Sequence, residues 1–428
     1  MSEAASKTSS PARTHWISEV AARRLLWTIF FLFALVQGWR LHSFGNDLGT
    51  DVHSESDALR SADAYAREGL WSHHGLPRIL HGALFPKVGT VLDHTDASGL
   101  VPEKFRKGFP TDLSHRDAWV YTHYPPGPNL LCGLWAKICG LDRLWVLRLF
   151  PLVFGLATVA FFFWALARAF DPARALVLAA ACAVLPMFGA YLIGLHYQGY
   201  SLALLLMQLA LLLLIFRGQN RCGAGLGAAF FTLGFLQGWL SFDQFFVVSL
   251  LAVPFWCLRR EEGDAPSFKL LLWLVALPSA GFVLAHGLHF LQVAAELGGL
   301  RAALGEFHAT AAERAGTSGG EYTRYHQFLG RAVYLYFRDT VKPTNGHFGP
   351  LIVLVAGWVA VLAARGRKLP WRALTAALVI SVLWMLFMPQ HAVSNLHVTI
   401  RHLFVVYFFL LLVAVGGGPR LAAPPRPD

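Results

Sequence analysis

Two carboxylates two positions apart, Glu55 and Asp57, lie in the stretch Asp51 to Trp71, DVHSESDALRSADAYAREGLW. A carboxylate held ionised can take a proton from a hydroxyl or an amine. Ser54-Glu-Ser-Asp57 reads as a capping box, which sets Asp57 in the first turn of a helix, where free N–H groups and the helix dipole favour the charged form. Glu55, ahead of that turn, has more freedom to stay solvated. A second signal, Tyr121-Thr-His-Tyr-Pro-Pro-Gly127, follows a long polar segment. Between and beyond apolar runs come His53, His123, Tyr124, His196, Tyr197, Gln198, Asp243, Gln244, His391, His397, Arg401 and His402. Ionisable groups at membrane depth are expensive, so their gathering on one side is the observation that matters. Arg401, with His402 and His397 close in sequence, has the forked donor geometry that an anionic phosphate needs.

Each of these residues also has a structural reading. Glu55 and Asp57 can simply cap their helix, as Asp243 in Trp239-Leu-Ser-Phe-Asp-Gln-Phe245 can cap another. His196 and Gln198 can hydrogen-bond across a helix bundle. Arg401-His402 can anchor a span at the interface. No His-x-x-x-His or Cys/His cluster stands at ligand spacing, so a divalent metal is without support and no cofactor is indicated. Five cysteines, Cys132, Cys139, Cys182, Cys222 and Cys257, show no pairing pattern.

The elements that must position these groups are membrane helices. Of 428 residues 55% are hydrophobic and 14% charged, with a mean hydropathy of +0.48, and many apolar runs approach the roughly 20 residues a span requires. The expected class is an all-α polytopic membrane protein of about 10–11 transmembrane helices. Its net charge of +11 comes mostly from Lys and Arg in short links between apolar runs, which fits the positive-inside bias and argues against nucleic acid as a partner.

The expected organisation is a cytoplasmic tail over 1–24 and a first span over 25–41. A first extracytoplasmic loop over 42–126 follows, then a transmembrane bundle over 127–291. An extracytoplasmic amphipathic loop over 292–347, C-terminal spans over 348–416 and a tail over 417–428 complete it. Apolar Ala58, Leu59, Ala62, Tyr65, Ala66 and Leu70 fall at helical spacing opposite Arg60, Asp63, Arg67 and Glu68, which predicts an amphipathic helix lying in the membrane interface. Val293 to Arg314 and Tyr322 to Thr340 read as two more such helices, either a lid or a brace. The segment 128–140 is too short to cross, and a crossing would put the basic links downstream on the wrong side. It reads as a half-span, with eleven full spans as the alternative.

With these residues in view, the chain resembles the C-type membrane glycosyltransferases, and within them the group of protein O-mannosyltransferases and aminoarabinose transferases, glycosyltransferase family 39-like. The shared pattern is one span, then a large outer loop in which an acidic motif leads a juxtamembrane helix, then His123-Tyr-Pro-Pro-Gly127 opening the next apolar segment. The resemblance implies a sugar moved from a polyprenyl phosphate donor to an acceptor at the extracytoplasmic face, with inversion. It implies Asp57, with Glu55 as rival, for the base, and a home in a bacterial inner or cell membrane. The chain departs from the pattern in three places. The adjacent Asp-Glu pair is replaced by Glu55-Ser-Asp57, Gly127 stands where Leu is usual, and a later outer-face acid is Gln198, with Asp243 as its substitute. The alternative from another class is a polytopic transporter whose His, Asp and Gln groups line a path; a structural or assembly protein is the third.

Overall fold

The computed structural model describes residues 18–45, 52–79, 91–93, 118–141, 143–217, 223–263, 266–317, 322–342 and 347–416. Residues 1–17 of the tail expected over 1–24, the tail expected over 417–428, Asp51, and most of the polar segment before Ala118 lie outside them. The molecule is an all-α polytopic membrane protein. Three helices, Leu144–Ala169, Tyr197–Arg217 and Phe268–Glu296, are long and apolar enough to cross a membrane, and shorter apolar helices stand beside them.

In chain order, α1 (Glu19–Phe44) leads to α2 (Val52–Glu68). Three short strands, β1 (Arg78–Ile79), β2 (Val91–Asp93) and β3 (Ala118–Val120), then form an antiparallel sheet of order β1-β3-β2 that the helical pattern did not announce. Strand β3 runs straight into Tyr121, whose N–H donates to the Pro77 carbonyl at 2.8 Å, so the sheet fixes the start of the Tyr-Pro-Pro motif.

The short helix α3 (Gly127–Cys139) begins on the proline pair, with Pro128 in its first turn, where a missing N–H costs nothing. At 13 residues it is about 20 Å long, well under the ~30 Å of a bilayer core. It packs along α2 through Ala58, Leu59, Ala62, Cys132 and Ala136.

The bundle continues with α4 (Leu144–Ala169), α5 (Pro172–Ala183), α6 (Pro186–Tyr191), α7 (Tyr197–Arg217) and α8 (Ala224–Leu240). After them come α9 (Phe245–Leu250), α10 (Ala252–Glu261) and α11 (Phe268–Glu296). The apolar run over 175–195 is therefore two helices, because Pro186 ends α5 and begins α6.

Helices α8 and α11 cross at backbone contact. A Cβ on Gly234 would sit 2.0 Å from the Pro278 carbonyl oxygen, and one on Gly281 would sit 2.1 Å from that of Phe231. Without a hydrophobic drive between helices in lipid, such small-residue seams are what hold spans together.

Beyond α11 come α12 (Leu300–Ala315) and α13 (Tyr322–Val341). The single helix expected from Val293 to Arg314 is instead the end of α11 and a separate α12, broken at Leu297–Gly299 where Gly298 takes a φ of 78°. The chain finishes with α14 (Leu351–Ala364), α15 (Trp371–Phe387), α16 (Pro389–Ser394), α17 (Leu396–Thr399), a 3-10 turn over Ile400–Leu403 and α18 (Phe404–Gly416).

The faces expected for α2 are corrected at two residues. Arg60, assigned to the polar face, is fully buried, and Ala66, assigned to the apolar face, is exposed. The cause is that α2 is covered on one side by α3 and tied on another to the segment before β1. Tyr65 Oη donates to the Gly75 carbonyl at 2.8 Å and Ser61 Oγ to the Arg78 carbonyl at 2.9 Å.

Candidate active site

Helix α2 begins at Val52, three residues earlier than the capping-box reading required, so Glu55 occupies the first turn and Asp57 the second. Residues two apart on a helix do not share a face, and the two acids meet different surroundings. Glu55 is buried, not solvated as expected. Its carboxylate accepts from Arg148 Nη2 at 2.7 Å and from the Leu195 N–H at 3.3 Å. Arg148, fully buried near the start of α4, also lies 5.5 Å from the centre of the Phe44 ring. Asp57 is largely buried close to Arg60 and within electrostatic reach of Tyr121. Burial pulls the Arg60 guanidinium down to about 10, and the Asp57 carboxylate opposes that pull.

The Tyr-Pro-Pro segment carries the site onward. Tyr121 stacks on Tyr124 with ring centres 5.7 Å apart, and Tyr124 stacks on Phe242 at 4.6 Å and lies 5.9 Å from Tyr197. His391, on α16, accepts at Nδ1 from the Trp384 indole N–H at 3.0 Å, which leaves the proton on Nε2, 2.7 Å from the Tyr124 hydroxyl. That histidine therefore donates to the phenol oxygen, and burial pushes the Tyr124 phenol up to about 12. His123 Nε2 and Thr122 Oγ1 share Glu306 Oε1 of α12, at 3.0 and 2.5 Å. Arg314, in the last turn of α12, lies 3.8 Å from the Phe242 ring centre and 4.6 Å from that of Tyr124. The Gly316 left-handed cap ends α12 at that point. Gly127 has its own reason: a Cβ there would stand 2.3 Å from the Trp239 carbonyl oxygen, so no side chain fits.

Beyond Tyr197 a second charged cluster closes the site. Asp243, in the link between α8 and α9, accepts from Arg401 Nη2 at 3.1 Å, from Ser241 Oγ, and lies 3.5 Å from His402 Nε2. Burial works against its charge, but the Arg401 guanidinium and the His402 and Ser241 donors hold the carboxyl well below the usual carboxylate range. The Gln244 amide oxygen, turned toward these donors, accepts from Arg401 Nε and Nη2 at 3.1 Å each and from His402 Nε2 at 2.9 Å. Arg401 also lies 5.1 Å from the Tyr197 ring centre. Arg401 Nη1 and His402 Nδ1 are buried and have no partner among the described residues. The guanidinium is thus held through Nε and Nη2, with its buried Nη1 left over among the described residues.

The structure thus joins Asp57, His123, Tyr124, Tyr197, Asp243, Gln244, His391, Arg401 and His402 in one continuous patch, with Tyr121 and Phe242 between them. His196 and Gln198 adjoin it at the start of α7, the Gln198 N–H donating to His196 Nδ1 at 3.3 Å. His53 and His397 lie on α2 and α17 by backbone, and their side chains fall outside the described residues. Among the described residues no three His, Cys, Asp or Glu side chains gather as metal ligands. Sequence reading missed Arg148, Glu306, Arg314 and Trp384. An arginine inside the apolar run over 145–167 was itself a signal, since such a charge demands a partner.

No protein-family model matches the chain, and no curated protein matches it. Among solved structures it is similar to the oligosaccharyltransferase of Archaeoglobus fulgidus. In the apo form the identity is 13%, with a TM-score of 0.46 over 93% of this chain and 53% of that one. The form in complex with an inhibitory peptide and a dolichol-phosphate gives 14%, 0.45, 91% and 50%. The form with Zn and sulfate gives 14%, 0.42, 91% and 52%. The chain spans about half the length of the solved structures that it matches.

Proposed function

We propose that the protein is an integral-membrane glycosyltransferase that moves a sugar from a polyprenyl phosphate to an acceptor hydroxyl or amine at the extracytoplasmic face. The observation that carries this reading is the presence in one site of a buried carboxylate, Asp57, and a buried guanidinium, Arg401, whose Nη1 has no partner among the described residues. The Tyr121–Tyr124 stack lies between them. The resemblance of the Glu55-Ser-Asp57 and His123-Tyr-Pro-Pro segments to C-type membrane glycosyltransferases supports it.

In this mechanism Asp57 takes the acceptor proton as the acceptor atom attacks the anomeric carbon from the face opposite the phosphate. The bond from that carbon to the phosphate oxygen breaks, and the configuration inverts. Arg401 Nη1 and His402 Nδ1 receive the departing phosphate, worth several powers of ten in rate when such donors are held in place beforehand. Asp243 and Gln244 do the holding. Glu55, committed to Arg148, supports α2 and leaves the base role to Asp57. The donor tail lies in the bilayer beside the bundle.

The test is transfer from a polyprenyl-phosphate sugar by the purified chain, with release of polyprenyl phosphate measured. Asp57→Asn should still bind donor while turnover falls by about 10²–10⁴-fold, the usual worth of a positioned base. Arg401→Lys keeps the charge but loses the fork, so donor affinity should drop by about 1–3 kcal/mol. Full turnover in Asp57→Asn would remove the base assignment. Absence of any sugar transfer alongside substrate uptake into proteoliposomes would replace the enzyme with a transporter.

A further inference from the structure

At the other end of the bundle a cavity of about 550 Å³ opens between the first turn of α1, the last turn of α4, the start of α5 and the last turn of α7. Helix α4, 26 residues and so about 39 Å long, separates it from the end where Arg148 meets Glu55. The two sites are therefore independent. Its polar wall presents Arg23, Arg168, Arg217 and one acid, Glu19, and its apolar wall includes Leu26 and Phe170.

The charges in this cavity do not cancel. Glu19 is already bound by Arg23, one turn along α1, and the nearby Asp171 is held by Arg174 at 3.1 Å. Arg168 lies over the Trp164 ring at 5.4 Å, and neither it nor Arg217 meets an acid among the described residues. Arg168 and Arg217 are near enough to repel each other. Arg168 is exposed and Arg217 half-buried, and both line this one cavity. Two guanidinium groups converging on a cavity match a phosphate, which both can grip through forked N–H groups. The adjoining apolar wall at the end of membrane-spanning helices matches the first carbons of a lipid chain.

We propose that this cavity binds the phosphate headgroup of an anionic glycerophospholipid, with Arg168 and Arg217 on the phosphate and Leu26 and Phe170 along the glycerol and acyl stem. Full-length protein in detergent, given phosphatidylglycerol, phosphatidylcholine or inorganic phosphate, tests it by native mass spectrometry and thermal unfolding. Phosphatidylglycerol should stay bound and raise Tm, while phosphatidylcholine and inorganic phosphate should do neither. Arg168→Gln and Arg217→Gln should each weaken phosphatidylglycerol binding by about fivefold, and Glu19→Gln, which releases Arg23, should strengthen it. Equal retention of phosphatidylcholine overturns the proposal, and so does undiminished binding in the arginine variants. If inorganic phosphate protects as well as the lipid, the occupant is a soluble anion and the lipid assignment fails. The wild-type comparison of the two lipids decides the matter even where a variant does not fold.

Discussion

A charge removed from Glu55 takes from the buried Arg148 the carboxylate 2.7 Å from its Nη2, and that asymmetry separates the two neighbouring acids in an experiment. Breaking a buried pair from one side costs about 3–5 kcal/mol, because the remaining ion has lost water and partner together. Glu55→Gln is therefore expected to lower the thermal midpoint of the detergent-solubilised protein sharply. Adding Arg148→Met to it should recover much of the loss, since an apolar pair of similar size is often tolerated. Recovery that fails would mean the Leu195 N–H, not the guanidinium, is what Glu55 chiefly serves. Sequence could name both acids but not divide their roles. The division depends on where α2 starts, which Val52 sets two residues before the capping signal.

Among the elements, the seam between α8 and α11 is the one with the least tolerance. Gly234 and Gly281 each face a backbone carbonyl at a distance no Cβ accepts. Gly234→Leu should force the helices apart and with them the link carrying Asp243, since that link begins one residue beyond α8. Thermal stability and donor binding are expected to fall together, with the Asp57 carboxylate untouched. A variant that keeps both would show that the seam can open without disturbing the site. The apolar runs announced α8 and α11 within a few residues, and the Tyr322 to Thr340 helix appears as Tyr322–Val341. What periodicity could not show was contact. It put Arg60 on a polar face because it had no knowledge that α3 and the β1 segment pack against α2. It also gave no hint of the small sheet, whose strands are two or three residues long, too short for any alternation to register.

For the whole molecule the length of one short helix bears on which ends of the helices share a side of the membrane. The length of α3 argues that the chain enters and leaves it on the same side, which keeps the basic links together. A cysteine at Leu141 is expected to react with an impermeant reagent from the extracytoplasmic side. Labelling from the cytoplasm alone would make α3 a full crossing and invert the later loops. The pair between Glu55 and Arg148 carries a consequence in time as well as in space. The acid is synthesised 93 residues ahead of the arginine. When α4 leaves the ribosome, α2 can already be waiting at the membrane surface with its carboxylate in water, where an unpaired charge costs little. The arginine, for which isolation in the bilayer is expensive, is thus the later partner to arrive. A chain begun after Gly69 should insert α4 poorly in a coupled translation and protease-protection assay, and supplying residues 1–69 as a separate fragment should restore it. Equal insertion with and without the fragment would mean the order of synthesis is of no account.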